Sequence, residues 1–259
     1  MFYLYSLTTM YAELHCLSNF SFQRGASHPR DLVQRAAELG YTALAITDEC
    51  SLAGVVKAHV AAQEYGIKLI IGSELNLEEG IKLLALAPNR AAYSELSGLI
   101  SMARRRSPKG EYRVSLRDVI FHLKRCLLIW LPVDNSDTSR AYGQQLRRLC
   151  KERLWLGVSH LRHGNETQRY LQFLELATSL DIPMLACGNV QMHHPRCKPL
   201  HDVITAIAHN TSVDQLGRLR HSNSQQHLRP IDKLCKLYPA ALLQIHRTPM
   251  SFSSYSLIR

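Results

Sequence analysis

Residues Gly40–Leu75 read GYTALAITDECSLAGVVKAHVAAQEYGIKLIIGSEL and form the clearest strand, helix, strand unit of the chain. The stretch 42–47 is short and apolar and runs into a polar cluster, which is typical of a buried parallel strand that ends in a loop. A helical pattern follows over 53–65, stops at Gly66, and leads to a second strand over 68–71. This stretch therefore predicts a parallel βαβ unit.

Acidic residues follow both strands of this unit. Asp48 and Glu49 come after the first strand, and Glu74 comes after the second. Neighbouring parallel strands end on the same rim, where α/β proteins place their active sites, so the three carboxylates are expected to meet there. In the alternative interpretation, Asp48 caps the helix and Glu74 is a surface carboxylate, because any βαβ protein places polar residues at these positions.

The composition is that of an ordinary globular protein, with 46% apolar and 20% charged residues among 259. A formal net charge of +10 favours a polyanionic partner such as nucleic acid. The seven cysteines form no C-x-x-C pair, which predicts reduced thiols and a cytoplasmic location. No apolar run reaches the ~20 residues that span a bilayer, so no membrane partner is expected.

Strand-like segments recur along the chain and alternate with helical ones. Seven are centred near residues 13, 44, 69, 84, 128, 156 and 184. This count favours an α/β fold with a closed or nearly closed barrel of seven parallel strands over an open sheet. Segments 75–77 and 81–87 flank Glu78-Glu79-Gly80 and are also typical of a hairpin.

Polar residues that follow the predicted strands would gather on the barrel rim and would suit a metal site with nitrogen and oxygen ligands. They are His15, Asp48, Glu49, Glu74, His160, His163, Asn189, Gln191, His193 and His194. No pair among them has tight ligand spacing except His193 and His194, and adjacent loop residues seldom bind one ion. Taken singly, each histidine is better interpreted as a structural or surface residue.

Four segments carry a family resemblance, in the order ELHCLSNFSF, ALAITDECSLAGVV, GIKLIIGSEL and LACGNVQMHH. They resemble the signature regions of the PHP (polymerase and histidinol phosphatase) domain at the N-terminus of C-family bacterial DNA polymerases. The first two are similar to the error-prone, translesion branch of that family. A later segment, HLRPIDKLCKLYPAALL, resembles the polymerase sequence just beyond the PHP domain.

The resemblance implies a distorted, TIM-like (β/α)7 barrel of the PHP type over residues 11–210. Residues 211–243 would begin the following polymerase segment, and residues 1–10 would be an N-terminal extension. Residues 244–259 resemble nothing in the family and lack helical periodicity, so we expect an unrelated, disordered tail, left by a frameshift or a premature end of the reading frame.

In metal-binding members of the family, this motif set assembles a trinuclear centre for phosphoester hydrolysis. The resemblance implies that four ligand positions persist here as relics, namely His15, Glu49, Glu74 and Cys126. It also implies that other positions have lost their ligands, namely Leu17, Arg24, Lys82, Asn189 and Gln191. Leucine cannot bind a cation, lysine and arginine repel one, and neutral amides are weak substitutes for anionic ligands. A single cation held by His15, Glu49 and Glu74 remains the alternative.

The resemblance implies a PHP-domain fragment of an error-prone DNA polymerase, with a structural role, no catalytic residue and no cofactor of its own. DNA synthesis with Mg²⁺, binding of DNA and contacts with other translesion-synthesis proteins would belong to the full-length polymerase. One alternative is a free-standing metal-dependent phosphoesterase or 3′-exonuclease. Another is a non-enzymatic nucleic-acid-binding module, which the net charge alone favours.

Overall fold

The computed structural model describes residues 11–162 and 164–244. The predicted N-terminal extension, His163 and all of the predicted tail after Gln244 lie outside the described residues. No helix of the described part is both long and apolar enough to cross a bilayer.

Seven strands form one sheet, and their order in space is their order along the chain. The strands are β1 (Ala12–Glu13), β2 (Ala43–Ile46), β3 (Lys68–Asn76), β4 (Lys82–Ala87), β5 (Leu127–Trp130), β6 (Leu154–Val158) and β7 (Met184–Ala186). The helices are α1 (Pro29–Glu38), α2 (Val55–Tyr65), α3 (Arg90–Arg105), α4 (Leu116–His122), α5 (Asp137–Cys150), α6 (Glu166–Leu180), α7 (Lys198–Ala208), α8 (Ile231–Leu237) and α9 (Ala240–Gln244).

The prediction of seven parallel strands is wrong for one of them. β4 runs antiparallel to both β3 and β5, whereas the other neighbouring pairs are parallel. The predicted hairpin explains this orientation, because β3 and β4 are joined by a tight turn in which Gly80 has a φ of 81°. A parallel pair would need a crossover of about a dozen residues or more.

The sheet is curled, and its inward-facing side chains form a cluster of their own. Every strand contributes to this cluster, and no helix residue belongs to it, which identifies it as the inside of the curled sheet. Its members include Ala43 and Ala45, whereas the alternate residues Leu44 and Ile46 pack outward against the helices. The fold expected from the sequence is thus confirmed as a curled, TIM-like α/β sheet.

The edge strands β1 and β7 meet at a single bridge just beyond their ends, which we call the seam. Here the Leu17 N–H donates to the Val190 carbonyl over 2.8 Å, and the Val190 N–H donates to the His15 carbonyl over 2.9 Å. Among the described residues, β1 and β7 themselves form no ladder of hydrogen bonds with each other, so other groups must close the seam.

Residues from 211–243 close the seam. The Tyr238 hydroxyl donates to the Cys187 carbonyl over 3.1 Å, and the buried Arg229 donates to the His160 carbonyl over 2.8 Å. Leu228, Leu234, Leu242 and Leu243 join the main hydrophobic core. The division at residue 210 stays a prediction about sequence relationships, but in packing this segment belongs to the barrel.

Candidate functional site

A group of charged residues lies on the rim where β1, β2 and β3 end. His15 follows β1, Glu49 follows β2, and Glu74 lies near the end of β3. Glu49 and Glu74 form an isolated parallel bridge, which places their backbones side by side. Together with Arg24 and Lys82, these residues form what we call the rim cluster. Of the three carboxylates expected to meet, Glu49 and Glu74 do so, and His15 joins them. The Asp48 carboxylate is bonded to Ser18 and Ser21 instead.

The carboxylate oxygens of the rim cluster are all engaged by protein groups. For Glu74, one oxygen lies 2.7 Å from the His15 Nε2, and the other lies 2.6 Å from the Arg24 Nη1 and 3.7 Å from the Lys82 Nζ. Arg24 also donates to one oxygen of Glu49. The Arg24 guanidinium thus lies between the two carboxylates and pairs with both.

The second oxygen of Glu49 is held by two residues that sequence reasoning missed. The Tyr112 hydroxyl and the Asn76 side-chain amide donate to it over 2.8 and 2.6 Å. The Arg104 guanidinium lies 5.1 Å from the centre of the Tyr112 ring and donates to the Glu49 carbonyl. No local pattern could reveal these contacts, because Tyr112 lies 63 positions from Glu49.

The electrostatics of the rim cluster favour its charged form. Burial by itself raises the pKa of Glu74, but the hydrogen bond from His15 and the charges of His15, Arg24 and Lys82 outweigh it, so the net pKa is lowered. Burial likewise raises the pKa of Glu49, and Arg24, Tyr112 and Asn76 together more than reverse this effect. Burial lowers the pKa of Arg24, whereas the two carboxylates raise it to a higher net value. Arg24 and Lys82 balance the charges of both glutamates.

Asp48 has a different role from the one that either sequence interpretation gave it. Its carboxylate accepts hydrogen bonds from the Ser18 N–H, the Ser18 hydroxyl and the Ser21 hydroxyl over 2.7–2.8 Å. The N-cap of α2 is Gly54, so Asp48 does not cap that helix. Burial raises the pKa of Asp48, and the serine hydrogen bonds offset part of that rise. Asp48 therefore holds the loop that presents Arg24 to the rim cluster.

Other predicted positions lie apart from the rim cluster. The Cys126 thiol contacts the Ala92 carbonyl, 3.4 Å away, and belongs to the core outside the sheet, so it faces the helices and not the rim. Gln191 accepts a hydrogen bond of 2.6 Å from His201, which sequence reasoning missed. Leu17 is fully buried. Asn189 has a φ of 47°, a left-handed conformation that asparagine tolerates.

The remaining rim histidines are also engaged separately. The His160 N–H donates to the Tyr238 hydroxyl, and the His160 ring lies beside the Glu166 carboxylate. His193 shares a 2.8 Å hydrogen bond with Ser27, and His194 accepts one from the Arg196 N–H. Within residues 11–162 and 164–244, no group of three or more histidine, cysteine, aspartate or glutamate side chains could hold a metal ion. With Arg24 between Glu49 and Glu74, the residues present do not fit the metal centre that the family implies.

Comparisons with known proteins agree with this fold. The PHP domain profile matches residues 13–130. The error-prone DNA polymerase of Saccharophagus degradans is 49% identical over 247 residues, which are 95% of this chain and 24% of that polymerase. The same enzyme of Teredinibacter turnerae is 51% identical over 90% of this chain and 23% of its own length. The chain thus spans about a quarter of the length of these curated relatives.

Solved structures show the same fold at low sequence identity. A candidate metal-dependent phosphoesterase from Bifidobacterium adolescentis superposes with a TM-score of 0.52 at 19% identity, covering 70% of this chain and 87% of that one. An amidohydrolase from Chromobacterium violaceum gives a TM-score of 0.54 at 15% identity, with the same coverage of both chains. Residues 13–130 therefore belong to a PHP domain, and over 90–95% of its length the chain is homologous to one segment of error-prone DNA polymerases.

Proposed function

We propose that this chain is the structural PHP module of an error-prone DNA polymerase, and that ion pairs replace a hydrolytic metal centre on its rim. The observation that carries the proposal is the position of Arg24, which donates to both Glu49 and Glu74. A guanidinium carries a permanent positive charge and matches carboxylates in shape. It supplies the positive charge that a bound cation would otherwise bring, without an open coordination position.

The ion pairs explain why the module would not hydrolyse phosphoesters. Hydrolysis at a metal centre requires a cation that activates water, and a catalytic zinc keeps three protein ligands and one open position. Two of the three remaining anionic or imidazole groups, Glu49 and Glu74, are bound to Arg24, and His15 is bound to Glu74. A cation would have to displace Arg24 before it could reach them.

The chemistry of the parent protein belongs to the same proposal. DNA synthesis would take place in the part of the polymerase that this chain does not contain, where paired carboxylates would hold Mg²⁺ ions around the transferred phosphoryl group. The partner would be DNA in the cytoplasm, joined there by other translesion-synthesis proteins, as the resemblance implies. The similarity to error-prone polymerases and the net charge of +10 support this proposal.

The direct test is metal dependence of the purified chain. We expect EDTA, Mn²⁺ and Zn²⁺ to change the melting temperature by less than about 1 °C, since a cation that bound the native state would stabilise it by mass action. We also expect no release of nucleotides from the 3′ end of a single-stranded oligonucleotide. A metal-dependent rise of several degrees, with exonuclease activity that Glu74→Gln abolishes, would instead establish a phosphoesterase.

Binding of a single-stranded oligonucleotide distinguishes the structural module from a nucleic-acid-binding module. A nucleic-acid-binding module would bind a single-stranded oligonucleotide with an affinity that falls steeply as salt increases. We expect the chain alone to bind such an oligonucleotide only weakly, with a dissociation constant above about 10 µM at physiological salt, in the range of non-specific binding or weaker. Tighter binding would favour the nucleic-acid-binding module.

A further inference from the structure

Helix α7 has its polar and apolar faces reversed with respect to the barrel. Three of its four buried residues are polar, namely His201, Asp202 and Thr205, and the fourth is Ala206. Its opposite face carries Leu200, Val203 and Ile207, which are 52%, 43% and 61% exposed. A surface helix of a globular protein normally buries its apolar stripe and exposes its polar one. The barrel therefore does not use the apolar face of α7.

Specific hydrogen bonds fix this orientation of α7. Two of them reach residues outside the helix: His201 donates to Gln191 over 2.6 Å, and Asp202 accepts a 2.9 Å hydrogen bond from Arg220. Within the helix, Thr205 donates to the His201 carbonyl over 2.8 Å and Lys198 pairs with Asp202. Rotation of the helix would break the bond to Gln191 and leave the buried Gln191 side chain without this partner, which is unfavourable. The outward direction of the apolar face is thus a property of the folded barrel.

The surroundings of this face indicate the chemistry of its partner. Leu219, which is 49% exposed, follows α7 in the chain and precedes the Arg220 that binds Asp202. Two cations share the single carboxylate of Asp202, and Arg196 and Arg218 are exposed nearby in the chain. The segments that flank this face in the chain therefore carry more basic than acidic residues. Such a surface fits a protein surface with an apolar centre and acidic surroundings.

The relatives identify where such a surface would come from. An alignment of 247 residues out of 259 must include α7, so the helix lies in the part shared with the Saccharophagus degradans polymerase. That part is 24% of the polymerase, and most of the relative lies outside it. We propose that the exposed face of α7 is an interface with the remainder of the polymerase. This inference rests on the proposed function, because it assumes a polymerase parent.

Helix α2 provides a matched control within the same barrel. Val56 and Val60 are 65% and 55% exposed on α2, so single apolar residues face solvent there too. The buried face of α2, however, is apolar and consists of Val55, Ala58, Ala61 and Ala62. α2 thus already packs an apolar face against the barrel, whereas the buried face of α7 is mainly polar. A partner that docks on the exposed face of α7 should therefore protect α7 from chemical modification and leave α2 unprotected.

Hydroxyl-radical footprinting tests the inference. The two proteins compared are this chain alone and a chimera in which the chain replaces the homologous segment of the Saccharophagus degradans polymerase. We expect Leu200, Val203 and Ile207 to be modified several-fold less in the chimera, and Val56 and Val60 to be modified equally in both. If the chimera does not fold, the natural relative replaces it, and the peptide aligned with α7 is compared with the one aligned with α2.

The outcomes are distinct. Equal modification of α7 in both proteins, or protection of α2 instead, overturns the inference. Sedimentation of the chain alone provides a second measurement, because a dimer that Ile207→Asp dissociates would assign the face to a second copy of this chain. Ile207→Asp should lower the melting temperature of the chimera and leave that of the isolated chain unchanged, since the residue is 61% exposed there. Metal-dependent phosphoesterase activity would refute the proposed function independently of all these results.

Discussion

Two buried glutamates on the same barrel show how differently a fold can accommodate a carboxylate. Glu74 lies in the rim cluster, and Glu13 lies at the seam, and both are at most 1% exposed. Positively charged groups surround Glu74. Glu13 instead accepts hydrogen bonds from the Gly188 N–H, the His15 N–H and the Tyr11 hydroxyl, over 2.7, 3.0 and 2.9 Å.

The two carboxyl groups consequently respond in opposite ways to the same burial. Burial raises the pKa of Glu13, and the hydrogen bonds from Gly188, His15 and Tyr11 reverse only part of the rise. At Glu74, the hydrogen bond and charges of its partners more than reverse the effect of burial, so its net pKa is lowered. The charge of the partners, and not the depth of burial, decides which form the barrel favours.

Removal of the negative charge should separate the two sites most clearly. We expect Glu74→Gln to lower the free energy of unfolding by about 3 kcal/mol, because it breaks a buried ion pair and leaves Arg24 undercompensated. Glu13→Gln should change it by less than about 1 kcal/mol, because its amide can keep all three hydrogen bonds, with the Tyr11 hydroxyl as acceptor. Urea unfolding at pH 7 measures both. Equal losses would show that hydrogen bonding, and not charge, stabilises Glu74.

Steric contact should reveal how tightly the seam encloses Glu13. A Cβ atom at position 188 would lie 2.1 Å from a carboxylate oxygen of Glu13. Gly188→Ala should therefore lower the free energy of unfolding by about 2 kcal/mol, as expected for an overpacked site. Gly98→Ala in α3 is the control, because nothing lies within 4 Å of its added Cβ. That variant should be stabilised by up to about 1 kcal/mol, since alanine favours helix.

The shape of the guanidinium should matter less than its charge. Arg24→Lys keeps a positive charge but loses the planar group that reaches both Glu49 and Glu74, so we expect a loss of about 1 kcal/mol. The exposed pair Arg30–Glu64 provides the control. Arg30→Lys should leave the denaturant midpoint unchanged within error, because solvent screens an exposed pair. Equal effects of the two substitutions would mean that Arg24 acts only as a surface charge.

The smallest effect near neutral pH should be the pH dependence, which has opposite signs at the two sites. Because the folded pKa of Glu74 is lowered, its stabilising contribution is complete above its ordinary value of 4.5 and is lost as the pH falls below it. Because the folded pKa of Glu13 is raised, its contribution is present below 4.5 and is lost as the pH rises through the folded value. Unfolding at several pH values compares wild type with each glutamine variant. Slopes of the same sign for both would contradict the assignment.

Sequence reasoning found the parts of the site that follow from strand order. Polar residues at neighbouring strand ends had to share a rim, so Glu49 and Glu74 could be grouped before the fold was known. Asp48 was grouped with them as well, but its carboxylate bonds to Ser18 and Ser21 instead. It misjudged the direction of β4 because hydrophobic periodicity is the same for parallel and antiparallel strands. The tight turn at Gly80, where a hairpin was also expected, is the feature that indicates the antiparallel direction of β4.

The contacts that sequence reasoning missed depend on tertiary folding. His201 and Tyr112 reach their partners only through packing of segments that are distant in the chain. The sequence did indicate that Glu13 needs buried hydrogen-bond donors, because an acidic residue within an apolar core strand must be paired. Its donors, however, could not be named, since Gly188 lies 175 positions away.

The seam also has a consequence for how the chain folds during synthesis. β1 is synthesised well before the groups that complete its edge, since the Gly188 N–H donates to Glu13 across 175 positions. Just before β2, the Tyr41 hydroxyl donates to the Arg229 carbonyl across 188 positions. Such long loops must close before their contacts contribute stability, which slows folding. Until Tyr238 has emerged, the sheet keeps two unpaired edges that can pair with other nascent chains. The interval before closure is therefore when this barrel is most exposed to aggregation and most dependent on chaperones.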